Sequence, residues 1–127
     1  MTARTNEARE PAENPLTSAL AQLEAAAERL RGQVVTTPLL ESAALNERLG
    51  GRLLVKAEML QRTGSFKFRG AFNRLSRLNG AERRRGVVAY SSGNHAQGVA
   101  AAARAFDIPA LIVMPAGAPA VKVAGTR

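Results

Sequence analysis

Apolar residues in the first part of the chain follow a helical spacing and then an extended one. Residues 1–15 are polar, contain two prolines and predict a flexible leader. From residue 17 onward, apolar side chains recur three or four positions apart, which predicts a helix capped by Thr17 or Ser18 and stopped by Gly32. Residues 34–40 are predicted to be extended, because the residue before a proline avoids helical geometry.

Farther along the chain, strand and helix patterns alternate. We predict a short helix from Ser42 to Gly50, a buried strand over residues 53–55 and a helix that Ser65 caps and Gly80 closes. Its apolar face comprises Phe72, Leu75 and Leu78. The predicted elements that follow are a charged link (81–85), a strand (86–90), a helix to about Phe106, a strand (108–114) and a last helix that begins at Pro119 without a closing turn. This alternation predicts an α/β fold with a parallel sheet.

The composition limits the possible classes of protein. A chain of 127 residues, 46% of them hydrophobic, is sufficient for one globular domain with a modest core. The absence of cysteine excludes a disulfide scaffold and thiolate metal sites, and a single histidine argues against a zinc centre. No segment has the composition of a signal peptide or the apolar length of a membrane span, so we expect a soluble cytoplasmic protein without a membrane partner.

The net charge is strongly positive, at +8 with a pI near 11.4. Such a charge is typical of proteins that bind nucleic acid. The cations are scattered, however, and the one tight run is residues 83–85, while aromatic residues make up only 4% of the chain. We therefore expect no nucleic-acid partner, and a basic non-enzymatic α/β module that binds polyanions remains the alternative from a different class.

One of only three lysines in the chain, Lys67, stands between Phe66 and Phe68. Arginine keeps its proton, whereas a partly desolvated amine can lose one and attack an aldehyde to form a Schiff base. Gly64 permits a sharp turn just before this position. The alternative interpretation is a surface lysine in the first turn of a helix, with its stem lying on apolar neighbours.

A second stretch, residues 91–98, has the sequence Ser-Ser-Gly-Asn-His-Ala-Gln-Gly. It lies between an apolar run and an alanine-rich run, which predicts a strand, a tight polar turn and a helix. The free N–H groups of such a turn and the helix dipole favour an anion. This stretch is therefore a candidate anion-binding site.

Together, residues 65–71 (Ser-Phe-Lys-Phe-Arg-Gly-Ala) and residues 91–98 resemble two motifs of the fold-type II pyridoxal phosphate (PLP) enzymes. The resemblance is strongest to the threonine dehydratase and serine racemase branch, and it extends from about residue 37 to the end. It implies a three-layer, parallel-sheet fragment of the tryptophan synthase β-like fold. Residues 16–127 would be the N-terminal part of the catalytic domain, with the glycine-rich phosphate loop and the partner of the pyridine nitrogen beyond the chain.

The resemblance also implies a role for individual residues. Lys67 would carry the cofactor and move the substrate α-proton, and Ser92 would act on the other face of the α-carbon, as in the racemases. Phe66 would lie beside the cofactor, and Asn94 would bond its 3′-oxygen. The residues expected to bind the substrate are Ser65, Ser92, Gly93, Asn94 and His95. No metal is implied.

The function that the resemblance implies is a threonine or serine ammonia-lyase, which forms a 2-oxo acid and ammonia. Threonine as substrate would place it in amino-acid metabolism, at isoleucine biosynthesis. A serine racemase or another hydroxy-amino-acid lyase is the alternative, because both reactions begin with removal of the same proton. The full-length protein is expected to be a homo-oligomer that acts on small amino acids. The chain is expected to be truncated at its C-terminus and inactive alone.

Overall fold

The computed structural model describes residues 15–127, so the predicted leader lies outside the described residues except for Pro15. The helices are α1 (Pro15–Leu30), α2 (Ala43–Leu49), α3 (Lys67–Ser76), α4 (Gly80–Arg85), α5 (Asn94–Ala105) and α6 (Ala120–Ala124). The strands are β1 (Leu39–Glu41), β2 (Leu54–Lys56), β3 (Val87–Tyr90) and β4 (Ala110–Val113). Two 3₁₀ turns, Glu58–Leu60 and Arg62–Gly64, lead from β2 towards α3. The predicted α/β class is confirmed.

The core lies between α3 and α5. The apolar positions of α3 recur at helical spacing and bury Phe68, Phe72 and Leu75, as the sequence predicted for the last two. They pack against the small residues of α5 and against Ile108. Leu78 lies beyond the end of α3 but still packs against this core.

A parallel pair of strands flanks this core. β3 and β4 pair from Val87 opposite Ala110 to Tyr90 opposite Val113, and α5 connects them. At the start of β3, a Cβ on Gly86 would lie 2.6 Å from the carbonyl oxygen of Pro109, and φ is +81°. A glycine is therefore required where β3 meets the segment before β4.

The other two strands differ from the prediction. β2 pairs with β1 in an antiparallel arrangement, with Leu40 opposite Val55, and it does not join the parallel sheet. The predicted burial of residues 53–55 is also wrong, because all three are exposed. A continuous apolar run indicates a strand, but it does not specify which surface of the protein covers it.

Three helix boundaries differ from the prediction, and one helix was not predicted. α1 begins at Pro15, so Thr17 and Ser18 lie inside it and do not cap it. The predicted charged link is helix α4, whose N-cap Asn79 forms a capping box with Glu82. Gly80 therefore begins α4, and α3 ends earlier, at Ser76. The last helix, predicted to lack a closing turn, ends at Ala124 with Gly125 as its C-cap.

Two negative findings concern the described residues alone. Within residues 15–127, no helix is long and apolar enough to cross a membrane. The same part of the chain holds no cluster of three or more side chains of the kinds that bind metals.

Candidate active site

The loop before α3 has strained backbone geometry. Thr63 and Gly64 both adopt left-handed conformations, with φ of 63° and 68°. This conformation is natural for glycine, but a β-branched residue that adopts it costs about 1–3 kcal/mol, and such residues cluster at functional sites. The hydroxyls of Thr63 and Ser65 are buried, and neither has a hydrogen-bond partner among the described residues. Ser65 therefore does not cap α3 as predicted, and its buried hydroxyl is unpaired among the described residues.

Arg69 fixes the start of α3 by an ion pair with Glu58. Its Nε donates to Glu58 Oε2 and its Nη2 to Glu58 Oε1, each at 2.8 Å, so the contact is bidentate. The Thr37 hydroxyl donates to Glu58 Oε1 as well, at 2.5 Å. The hydrogen bond from Arg69 is the main reason that the pKa of Glu58 falls from 4.5 to about 2, and the bond from Thr37 adds to it. Glu58 thus stays charged and holds the first turn of α3 in place.

Gln61 attaches the same loop to the extended segment that precedes β1. Its side-chain amide accepts from Val35 N at 3.0 Å and donates to Val35 O at 2.8 Å, as a neighbouring strand would. Gln61 is buried, and Arg69 Nη2 also donates to Val35 O, at 3.2 Å. The loop that precedes Lys67 is therefore fixed on both sides of its strained residues, by Gln61 before them and Arg69 after them.

Lys67 is the first residue of α3 and is half-buried. Its Nζ lies 5.0 Å from the ring centroid of Phe66, within the range of a cation–π contact. Phe66 itself is 59% exposed, so this contact lies at the protein surface. Phe68, the other flanking phenylalanine, is fully buried in the core, where its ring centroid lies 5.7 Å from that of Phe72. Only Phe66 thus lies beside the Lys67 amine.

Gly98 brings the two sequence motifs together. A Cβ at this position would lie 3.0 Å from the carbonyl carbon of Lys67 and 3.1 Å from the amide nitrogen of Phe68. Both neighbours are backbone atoms, so they cannot move aside as a flexible side chain can. The absence of a side chain at Gly98 therefore allows α5 to pack directly on the first turn of α3.

The turn that precedes α5 leaves backbone N–H groups at the helix start without partners in the helix. Ser91 Oγ accepts from Gly93 N at 3.2 Å, and Gly93, the N-cap, provides no side-chain hydrogen bond to the helix. The first intrahelical bond is donated by Gln97, so the N–H groups of Asn94 and His95 have no partner within the helix. A Cβ on Gly93 would meet nothing within 4 Å, so this backbone is accessible to a ligand.

A groove of about 900 Å³ lies at the carboxyl ends of β3 and β4. We call it the carboxyl-end groove, and it is lined by Lys67, Ser91, Ser92, His95, Met114, Pro115 and residues of both strands. It brings Lys67 of the first motif together with Ser92 and His95 of the second. Four other predicted site residues do not line it, namely Ser65, Phe66, Gly93 and Asn94. Lys67 and His95 also line a more apolar groove of about 520 Å³ between α3 and β3, which Phe66 borders.

The side chain of Asn94 has a partner that the sequence did not predict. Its Oδ1 accepts from Lys122 Nζ of α6 at 2.6 Å. Other contributors to the site that sequence reasoning missed are Glu58, Gln61 and Gly98. Only Gly98 left a signal in the sequence, because a lone glycine in an alanine-rich helix indicates close packing.

Comparison with known proteins shows that this chain is similar to a family of enzymes that includes ammonia-lyases and racemases. The family described as pyridoxal-phosphate dependent enzyme matches residues 30–127. An L-threo-3-hydroxyaspartate ammonia-lyase of Pseudomonas sp is 61% identical over 102 residues, which are 80% of this chain and 32% of that protein. An L-threonine ammonia-lyase of Thermotoga maritima is 52% identical over 108 residues, covering 85% of this chain and 27% of that protein.

Solved structures give the same result. The structure of maize serine racemase superposes with a TM-score of 0.79 and 40% identity, over 84% of this chain and 32% of that one. The predicted fold class, an α/β fragment of fold type II, is thereby confirmed. The chain spans only about a third, or less, of the length of each of these three proteins: 32%, 27% and 32%.

Proposed function

This chain belongs to the family of pyridoxal-phosphate dependent enzymes, and on that premise we propose that it forms the lysine-bearing part of an ammonia-lyase that acts on threonine or serine. The observation that carries the proposal is the carboxyl-end groove, in which Lys67 meets Ser92 and His95 from a distant part of the sequence. This is where a parallel α/β sheet ordinarily binds its ligand, beyond the carboxyl ends of the strands.

The residues present are suited to the cofactor. Lys67 offers an amine at the edge of the groove, beside the exposed ring of Phe66. The buried hydroxyl of Ser65 has no partner among the described residues and can bond a polar group. Asn94, at the start of α5, can donate from its amide to a phenolic oxygen. When bound, pyridoxal phosphate withdraws electrons from the substrate α-carbon.

We propose that the start of α5 binds the substrate carboxylate. The N–H groups of Asn94 and His95 lack partners within the helix, and the positive end of the helix dipole favours an anion there. The N–H of Gly93 is less available, because it donates to Ser91 Oγ. His95 lines the groove and would contact the carboxylate from the side. This arrangement fixes the α-carbon relative to Lys67.

Lys67 would then move the α-proton, since its side chain lines the groove and an amine can both accept and return a proton. Loss of the β-hydroxyl as water and later addition of water give, in total, a 2-oxo acid and ammonia. Ser92, which lines the same groove, is the candidate for proton transfer on the opposite face. That role would make the protein a serine racemase, the alternative within the family.

The proposal also includes a second candidate substrate, an oligomeric state and a place in metabolism. L-threo-3-hydroxyaspartate is a second candidate substrate, because the relatives of that name from Pseudomonas sp and Saccharomyces cerevisiae are 61% and 52% identical to this chain. It also carries a hydroxyl on its β-carbon, so the same elimination applies. A homo-oligomer, and a place in isoleucine biosynthesis if threonine is the substrate, remain proposals that follow from the family.

The test uses the complete gene product, loaded with PLP and supplied separately with L-threonine, L-serine and L-threo-3-hydroxyaspartate. Formation of the 2-oxo acid is measured, together with D-serine from L-serine. The matched control is Lys67→Arg, which keeps the positive charge but cannot bond the cofactor aldehyde. We expect a 2-oxo acid from at least one substrate and none from the control. D-serine without a 2-oxo acid would favour the racemase, and no product from any substrate would refute the proposal.

The polyanion-binding alternative is tested with the same preparation. After free PLP is removed, we expect a visible absorption band that borohydride abolishes. Oligonucleotide binding that weakens with salt, in a protein without that band, would instead support the basic module.

A further inference from the structure

Lys122 of α6 holds the side chain of Asn94 from outside the turn that contains it. Its Nζ donates to Asn94 Oδ1 at 2.6 Å and to Gln97 Oε1 at 3.3 Å, so it lies between two amide oxygens on the first turn of α5. Among residues 15–127, no carboxylate forms an ion pair with Lys122. The interactions of this half-buried ammonium group are thus with the two amides.

The surrounding structure supports this position of Lys122. Gly125, the C-cap of α6, lies against the Gln97 amide so closely that a Cβ there would collide with its nitrogen. Arg104 of α5 donates to the carbonyl of Arg127 at 3.0 Å. The contacts of Gly125 and Arg127 anchor the end of α6 and the residues after it on α5 independently of the bond between Lys122 and Asn94. Within this segment, Thr126 Oγ1 donates to the carbonyl of Lys122 at 2.8 Å.

The chemistry of Lys122 determines how the Asn94 amide is turned. An ammonium group has three donors and no acceptor, so it can bind Oδ1 of an asparagine but not Nδ2. No hydrogen bond within residues 15–127 uses Asn94 Nδ2, although Oδ1 is occupied. The amide is therefore oriented with its oxygen towards Lys122 and its donor free. A donor is what an anionic oxygen requires, and polarisation by the cation strengthens it.

We propose that Lys122 is a positioning residue, which orients the Asn94 amide so that Nδ2 is presented to the phenolic oxygen of PLP. This inference rests on the proposed function. It differs from a purely structural role, in which Lys122 would only attach α6 to α5. The two interpretations agree that its loss lowers stability, and they differ in whether the chemistry of residue 122 acts on the cofactor through Asn94.

Three substitutions distinguish them in the complete gene product. Lys122→Arg keeps a group that only donates, so PLP affinity and the absorption band of the bound cofactor should stay close to those of the wild type. Lys122→Met removes the donor and should weaken PLP binding by about two- to tenfold, the value of one ordinary hydrogen bond. Lys122→Glu introduces a carboxylate, which only accepts hydrogen bonds and therefore attracts Asn94 Nδ2. The amide should then turn its Oδ1 towards the phenolic oxygen, and PLP binding should weaken by about tenfold or more.

The same changes are then made in an Asn94→Ala background. If Lys122 acts through Asn94, the Met and Glu variants should lose most of their effect on PLP affinity there. An effect of the same size with and without Asn94 would show a general influence of charge or stability and would overturn the proposal. So would unchanged PLP affinity in both variants, or failure of Lys122→Arg to retain the wild-type spectrum despite a normal unfolding temperature.

A readout that needs no cofactor completes the test. In the complete gene product labelled with ¹³C-asparagine and freed of PLP, the Cγ signal of Asn94 should move when Lys122 is changed to Met, because its carbonyl loses a cationic donor. An unmoved signal overturns the inference, whatever the cofactor data show. If the signal moves but Asn94→Ala leaves PLP affinity unchanged, the proposed role of Asn94 fails, and the positioning role of Lys122 fails with it.

Discussion

Substitution of Gly98 by alanine tests whether the contact between α5 and the first turn of α3 is as tight as the structure indicates. The new Cβ would lie 3.0 Å from the carbonyl carbon of Lys67 and 3.1 Å from its oxygen, so the two helices must separate by a few tenths of an ångström. Overpacking of this kind costs about 1–3 kcal/mol. Replacing glycine by alanine inside a helix, however, stabilises it by about 1 kcal/mol. The net change should lie between nearly zero and about 2 kcal/mol of destabilisation.

Gly70→Ala is the matched control for this substitution. Gly70 also lies inside a helix, α3, but a Cβ there would meet nothing within 4 Å, so only the gain in helix propensity remains. Urea unfolding of both variants should give a free energy of unfolding that is about 1–3 kcal/mol lower for Gly98→Ala than for Gly70→Ala. In the complete gene product, only Gly98→Ala should weaken PLP binding, because it displaces the backbone of Lys67. Equal stability and equal PLP affinity of the two variants would refute the close-packing argument.

Three further predictions follow from the site. Asn94→Ala should leave the fold intact but shift the absorption spectrum of bound PLP. It should also weaken PLP binding by about one to two decades, as expected for the loss of a hydrogen bond of about 1.5–3 kcal/mol to a charged group. An unchanged spectrum and an unchanged affinity would contradict this prediction. Because the pKa of Glu58 is lowered from 4.5 to about 2, its stabilisation is complete above pH 4.5 and is lost as the pH falls towards 2. The difference in unfolding free energy between wild type and Glu58→Gln should therefore shrink over that pH interval. A constant difference would contradict the conclusion that the charged Glu58 carboxylate provides this stabilisation. The 127-residue chain with added PLP and threonine should produce no more 2-oxobutanoate than its Lys67→Ala variant, and turnover above that control would show that nothing outside this chain is needed.

The central part of the fold could be predicted from the sequence because its signals are local. The strand that ends at Tyr90, the turn after it and the alanine-rich helix α5 each have their own pattern within a few residues, and the structure has all three. The apolar face of α3 is also local, since Phe72 and Leu75 are spaced by one helical turn. Predictions of this kind require no knowledge of the tertiary packing.

The errors have physical reasons of two kinds. The helix α4 was missed because three consecutive arginines obscured a signal that is present in the sequence, the spacing of Asn79 and Glu82 that forms a capping box. The exposure of β2 had no local signal, since the same apolar residues form a buried or an exposed strand according to what packs on them.

Within the candidate site, the residues that make contacts over long distances in the sequence were the ones missed. Lys122 lies 28 residues from Asn94, and its role depends on α6 folding back on α5. Gln61 reaches the backbone of Val35 across 26 residues in the same way. The motifs indicated which residues are chemically important, whereas the structure indicates which ones hold them in place.

The most direct test of the whole account is the identity of the lysine that carries the cofactor. The chain contains three lysines, Lys56, Lys67 and Lys122, and each has an accessible or half-buried amine. The complete gene product is incubated with PLP, reduced with borohydride and digested, and the phosphopyridoxyl group is located by mass spectrometry. We expect one stoichiometric adduct, on Lys67, that is absent from Lys67→Arg. An adduct on Lys56 or Lys122 in its place, or no adduct on Lys67 at saturating PLP, would contradict this expectation.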